Sequence, residues 1–161
     1  MGEQMDKTGS NPVEAAPLAA PPGGLAMCDL AAAVHGSSQG FSGAVFDGRY
    51  VYYVPLNNGD FHGVVTRHDT SGEFTAGASW DCFDTARLDP ACRGFVNGVF
   101  DGRYVYLVPY CNGGPFGTVV RYDTQAGFSA AAAWQAYDTT QVHPVSRGFV
   151  GGVFDGRFLY L

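Results

Sequence analysis

Three residues in one register raise the question of chemistry. His35, Asp89 and His143 stand 54 residues apart, and imidazole and carboxylate groups can ligate a metal or hold a sugar hydroxyl. His62 belongs to the same end of the predicted fold, and so do Asn58 and Asn112, whose amides carry both a donor and an acceptor. These six residues form the candidate ligand-binding set. The plainer reading is that they are solvated loop residues, because equivalent positions in successive repeats stand far apart for one ion and no partner that would orient the imidazoles can be named. No metal and no cofactor is assigned.

Other reactive side chains have structural readings. Arg49, Arg103 and Arg157, with Arg67 and Arg121, invite an anionic ligand, but each recurs beside an equally recurrent aspartate: Asp47, Asp101, Asp155, Asp69 and Asp123. Opposite charges repeated near turns read as hydrogen bonds and salt links. Cys28, Cys82, Cys92 and Cys111 form no C-x-x-C pair, which removes the usual zinc and redox spacings. Cys82 and Cys92 allow a local disulfide; buried free thiols are the simpler expectation. The chain has no G-x-S-x-G elbow, P-loop or H-E-x-x-H, and no nucleophile beside a base, so no catalytic residue is assigned.

The elements that must position these residues follow from internal repetition. "GAVFDGRYVY" at 43–52 returns as "NGVFDGRYVY" at 97–106 and "GGVFDGRFLY" at 151–160, and Gly40, Gly94 and Gly148 keep the same spacing of 54. Residues 40–93 overlie 94–147 without a gap, the mark of a repeat architecture. The composition is 46% hydrophobic and 14% aromatic with 23 glycines in 161 residues, which fits a turn-rich β fold. A net charge of −6 and nine scattered Lys and Arg argue against a nucleic-acid surface. No apolar run of about eighteen residues is present, so no membrane partner is expected. Residues 1–25 read as a disordered Pro/Ala-rich segment with no basic-then-apolar leader. The compartment is cytoplasmic if Met1 is the true start.

Each unit holds four short strands. "GFVNGVF" and "RYVYLVPY" flank Asp101-Gly102, a two-residue hairpin signal predicting a type I′ turn. "GTVVRYDT" supplies a third, β-branched run, and "WQAYD" a fourth. "SAAAAWQAY" at 129–137 has helical propensity, but its counterpart "TAGASWDCF" carries Gly77 and β-prone aromatics, so the strand is preferred. Strand b runs apolar without alternation at 51–54 and 105–108, which requires both faces covered. The prediction is an all-β chain of tandem four-stranded antiparallel β-propeller blades: the worn end of a preceding blade at 26–39, with a worn strand around Ala26–Leu30, full blades at 40–93 and 94–147, and a terminal hairpin at 148–161. Phe46, Phe100 and Phe154, with Trp80 and Trp134, are the expected inter-blade packing set. His68, aligned with Tyr122, is expected to pack.

The Arg-led first strand, D-G hairpin, Tyr-ended second strand, "VVRYDT" and later Trp together resemble the kelch repeat over residues 40–161. The Gly-Gly pair that follows the second kelch strand is replaced by Val54-Pro55 and Val108-Pro109. Kelch-type propellers include protein-binding scaffolds and a few enzymes such as copper radical oxidases, so the likeness implies the fold more than the activity. Propellers close with about four to eight blades; the remaining blades are expected from a longer chain or from oligomerisation.

In an up-and-down meander the a–b and c–d connections share one end, and the b–c and d–a connections the other. The a–b turn is "FDGRY" in both full units, whereas the b–c loop changes from "LNNGDFH" to "YCNGGPF" and the d–a loop from "ARLDPAC" to "TQVHPVS". Divergence at the second end makes it the expected ligand face. The expected function is a non-catalytic scaffold for a protein or a carbohydrate, with a propeller enzyme fragment and an architectural array as alternatives.

Overall fold

The computed structural model describes residues 24–161, so the segment expected to be disordered, 1–25, lies almost wholly outside the described residues. After one helical turn, α1 (Leu30–Ala33), the first unit contributes β1 (Phe41–Phe46), β2 (Tyr50–Pro55), β3 (Val64–Asp69) and β4 (Trp80–Asp84). The second contributes β5 (Phe95–Phe100), β6 (Tyr104–Pro109), β7 (Thr118–Asp123) and β8 (Trp134–Asp138), and the third β9 (Val153–Phe154) and β10 (Leu159–Tyr160). Each full unit is one antiparallel four-stranded sheet in chain order, and β9 pairs β10 as a separate hairpin. The chain is thus all-β, with two tandem four-stranded blade-like sheets and a terminal hairpin. Among the described residues no helix is long and apolar enough to cross a membrane.

Register repeats with the sequence. Tyr52 lies opposite Arg67 and Tyr106 opposite Arg121, while a bulge interrupts the first strand of each sheet before Ala44 and before Gly98. The alanine run condenses to a single 3₁₀ turn at Ala131–Ala133, after which Trp134 starts β8. Pairing with β7 decides the matter against local helix propensity.

The sheets stack face to face. β5 lies against β1, and β9 against β5. Alternation along a strand sends odd and even residues to opposite faces, so Tyr52, Val54, Val65, Arg67 and Phe83 of the first sheet look toward the second. Tyr122, Phe128 and Trp134 of the second sheet look back at them. Trp134 stacks on Phe83 with ring centroids 4.4 Å apart and planes within 6°. Tyr52 meets Tyr122 at 5.8 Å and Phe128 at 6.0 Å. The Arg67 guanidinium sits between the rings of Tyr50, at 4.3 Å, and Phe128, at 4.1 Å. These residues centre the core, with Tyr52, Val65, Phe83, Tyr122 and Phe128 all almost fully buried.

Three expectations are corrected. Ala26–Leu30 is not a worn strand: residues 24–29 carry no regular structure and Leu30 begins α1, because a fourth strand pairs only with the third strand of its own sheet and none precedes it among the described residues. Phe46 is 53% exposed and Phe154 is only partly buried, whereas Phe100 packs against the core cluster as expected. Val45 faces the second sheet beside Gly98, so its neighbour Phe46 points the other way, where no sheet stands among the described residues. Trp134 takes its expected place in the interlock, and Phe128 and Tyr122 join it. The hairpin turns are not type I′, which needs positive φ at both central residues; only the glycines have it, at +105° for Gly48, +100° for Gly102 and +97° for Gly156.

The backbone still closes each turn, Asp101 N–H donating to the Tyr104 carbonyl at 3.2 Å, and the aspartate side chain reinforces it. Oδ1 of Asp101 accepts from the N–H groups of Arg103 (2.8 Å) and Tyr104 (2.6 Å), and Oδ2 accepts from the Tyr106 hydroxyl (2.8 Å). Asp47 binds Arg49, Tyr50 and Tyr52 in the same way, and Asp155 binds Arg157, Phe158 and Tyr160. The N–H groups of Phe158 and Arg157 hold the Asp155 carboxyl below the usual carboxylate range. In the two full units the turn is then tied to the end of the third strand by a two-pronged ion pair, Arg49 to Asp69 and Arg103 to Asp123, both 2.7 Å at the shorter contact.

Asp101→Ala removes three acceptor contacts and is expected to cost about 2 kcal/mol in urea unfolding, and Gly102→Val to cost at least ~1–2 kcal/mol through its left-handed backbone. Asp155→Ala, in the exposed terminal turn, should cost less than Asp101→Ala. Equal losses at the two aspartates would show that the turn acts without its sheet.

Candidate functional site

The two ends of the sheets differ in how they are built. At the a–b and c–d end, the aspartate turn and the Arg–Asp ion pair are the same in both full units, so those side chains are committed to structure. At the b–c and d–a end the loops are joined across units. The Gly94 carbonyl accepts from Tyr110 and Cys111 of the following loop, and Gly94 N–H donates to the His62 carbonyl of the preceding one. A Cβ on Gly94 would overlap the Cys111 carbonyl, and its φ is +78°, so glycine is required by close approach. Thr85 adds a buried clasp, its hydroxyl donating to the carbonyls of Gly63 (3.0 Å) and Cys92 (2.7 Å). Thr139 makes the same pair of bonds to Gly117 and Ser146.

All six sequence-selected residues lie at this end, and five have local work. His35, Asp89 and His143 are exposed and cap the d–a loop in the same way: His35 Nδ1 accepts from Ser37 N–H at 3.1 Å, Asp89 Oδ1 from Ala91 N–H at 2.7 Å, and His143 Nδ1 from Val145 N–H at 3.4 Å. Their shared register reflects a need for an acceptor two residues before an amide, a pattern of turn chemistry. Asn58 Nδ2 donates to the Ser37 carbonyl at 3.4 Å and Asn112 Nδ2 to the Ala91 carbonyl at 2.8 Å. Each asparagine thereby fastens a b–c loop to the d–a loop before it, bringing Asn58 to the loop of His35 and Asn112 to the loop of Asp89. His143 has no such asparagine partner among the described residues. The three register-mates do not converge on one point: no cluster of three His, Cys, Asp or Glu able to hold a metal occurs among the described residues.

His62 stands apart. It is 8% exposed, and neither ring nitrogen completes a hydrogen bond. It packs 6.3 Å from Phe41, as Phe116 packs 5.5 Å from Phe95 one unit later. Burial lowers its pKa; the Gly40 and Gln39 carbonyls and the Asp84 carboxylate pull the other way without reversing the effect. His68 fills its expected packing role, 4.5 Å from Trp80 and 5.3 Å from Phe74.

Comparison with family models, with curated proteins and with solved structures gives no match. The site must be read from its own geometry. All four cysteines are free thiols; burial pushes the Cys92 thiol up to about 11, so it stays protonated and unreactive at neutral pH. Cys92 and Val120 share the core cluster, while at the equivalent places of the first unit Ser38 and Thr66 are buried and joined by a 2.8 Å hydrogen bond. One unit meets that need by apolar packing and the other by a satisfied polar pair.

The residue that sequence reading passed over is Phe128. Its ring covers Arg67, and its carbonyl accepts from Trp134 Nε1 at 2.8 Å, as the Phe74 carbonyl does from Trp80. The register match of Phe74 with Phe128 was the available signal.

A histidine with a depressed native pKa binds its proton more readily in the unfolded chain, so stability is full above the unfolded value and is lost as pH falls below about 6.5. Thermal melts should therefore drop between roughly pH 7.5 and pH 5.5. His62→Phe, copying Phe116, should raise the melting temperature and shrink that drop. An unchanged pH slope in the variant would assign the acid sensitivity elsewhere.

Proposed function

We propose that the chain is a kelch-like propeller segment acting as a non-catalytic binding scaffold, with a protein or carbohydrate ligand received on the face made by the b–c and d–a loops. One observation carries the reading: side-chain bonds from Asn58 and Asn112 fasten each b–c loop to the d–a loop before it, and the loops so joined carry residues that differ between the units. At the opposite end of the two full units the turn aspartates and the arginines that follow the turn glycines are engaged in structural bonds. Rigid strands with variable loops at one end are the usual platform for recognition. The rim also presents Tyr110, 40% exposed at the start of its loop, and an exposed tyrosine offers both a stacking face and a hydroxyl to a sugar or peptide. The kelch likeness adds weight in the same direction, because scaffolds are frequent among such propellers.

The test exchanges the b–c loops 57–60 and 111–115 for Gly/Ser segments of equal length and probes the purified chain on a glycan array and against a peptide display library. Selective binding that the exchange abolishes, while the fold is retained by circular dichroism, is the expected result. Binding that survives both exchanges would move the ligand site off this face.

A further inference from the structure

β4 and β8 are the last strands of their sheets, so each has an outer edge that no strand covers among the described residues. This edge follows from strand order within a sheet and not from stacking: β4 has a complete sheet after it and is open along the same margin. The ladder decides which groups stand there. Thr85 N–H donates to the Gly63 carbonyl and Thr139 N–H to the Gly117 carbonyl, and bonded and non-bonded pairs alternate along an antiparallel ladder. Asp81 and Phe83 therefore bond to β3, and Gln135 and Tyr137 to β7, whereas Cys82 on one sheet and Ala136 and Asp138 on the other turn their main-chain groups outward.

The two edges are finished differently. On β4 the outward N–H of Cys82 donates to Asp81 Oδ1 at 2.9 Å, so a carboxylate fills the central donor and sets a negative charge on the edge, a common guard against pairing with another chain. On β8 Gln135 stands in the place of Asp81, and its Oε1 is drawn away to Arg121, accepting from Nε at 3.0 Å and Nη2 at 2.7 Å. The Ala136 N–H is left with no side-chain acceptor among the described residues, and Ala136 is exposed. Asp138, the single charged residue of β8, is held back by Thr140, whose N–H and hydroxyl donate to its Oδ1 at 2.9 and 2.7 Å. One edge is guarded and the other is not.

We propose that the outer edge of β8 is a self-association site, pairing antiparallel with β8 of a second copy of the chain about a two-fold axis at Ala136. In that register Ala136 N–H donates to the Ala136 carbonyl of the second copy and Asp138 N–H to its Trp134 carbonyl, each bond being returned by symmetry. Trp134 N–H needs no acceptor across the axis, because it already donates to the Ala131 carbonyl. The edge thus carries its own complement, which is what an isologous contact requires. Only methyl groups meet at the axis, and the strand's single charge, already engaged with Thr140, offers nothing to select a charged foreign strand. Strand addition of this kind takes its affinity from main-chain bonds. β4 is excluded from the same pairing by the carboxylate on its central amide. The contact joins two outer margins side by side, adds no sheet to the stack, and is independent of the loop-face reading above.

The experiment follows the full chain over a wide concentration range by sedimentation velocity and by residue-resolved amide hydrogen exchange. A reversible dimer is expected, with the Ala136 and Asp138 amides gaining protection as concentration rises while the Cys82 amide does not. Gln135→Asp, which copies the guard that β4 already carries, should weaken dimerisation at least about tenfold. Ala136→Pro removes the central donor at an edge position whose N–H the sheet does not use, a place where proline is tolerated, and should abolish the dimer. A monomer throughout the range, an oligomer that both variants leave unchanged, or concentration-dependent protection that falls on other strands and spares Ala136 would each overturn the proposal.

Discussion

The stack of Trp134 on Phe83, with Arg67 clamped between Tyr50 and Phe128, is the contact on which the rest of the molecule depends. A single four-stranded sheet of this length has two faces to cover, and among the described residues the only α-helix is the four-residue α1. Offset and stacked rings contribute about 0.5–1.5 kcal/mol each beyond the area that they bury, and the guanidinium between two rings adds a cation–π attraction that strengthens once water is excluded. The rings come from the third strand, the c–d connection and the fourth strand of one unit and meet the second, third and fourth strands of the unit before. The first sheet is therefore completed by the second.

That dependence explains why the turn residues recur so strictly. The Asp-Gly turn does more than reverse the chain, since its carboxylate holds the hydroxyl of the tyrosine four residues after the glycine, Tyr52 or Tyr106, and so aims that ring along the interface. The ion pair from the arginine after the glycine then joins the a–b turn to the c–d connection, and the c–d connection carries Phe128. Turn, tyrosine, arginine and phenylalanine form one mechanical unit, and a change in any of them disturbs the ring stack.

The opposite end is under a looser constraint. Its backbone is held by Gly94, by the Thr85 and Thr139 clasps and by asparagine side chains, and these leave the remaining loop positions free to differ. His62 shows how far that freedom reaches inward: a ring is needed against Phe41, and imidazole supplies it at the cost of two unpartnered nitrogens where the next unit has phenylalanine. Ser38 with Thr66, set against Cys92 with Val120, is the same story told with a hydrogen bond.

Periodicity and local chemistry were legible in the sequence. The spacing of the glycines defined the unit, β-branched and aromatic runs marked the strands, and the Asp-Gly and Asp-Thr pairs marked the turns, because each of these signals acts over a few residues. The pairing of Arg with Asp near the turns could be read in the same way. What each residue faces could not. Phe46 and Phe100 are identical in sequence context and differ in exposure, Phe83 and Tyr137 share a register and differ more, and the three register-mates His35, Asp89 and His143 became turn caps where a converging ligand set had been conceivable. Burial is conferred by the neighbouring sheet, and a sheet's neighbour is set by packing across 54 residues of chain, a distance at which local sequence carries no information about contact.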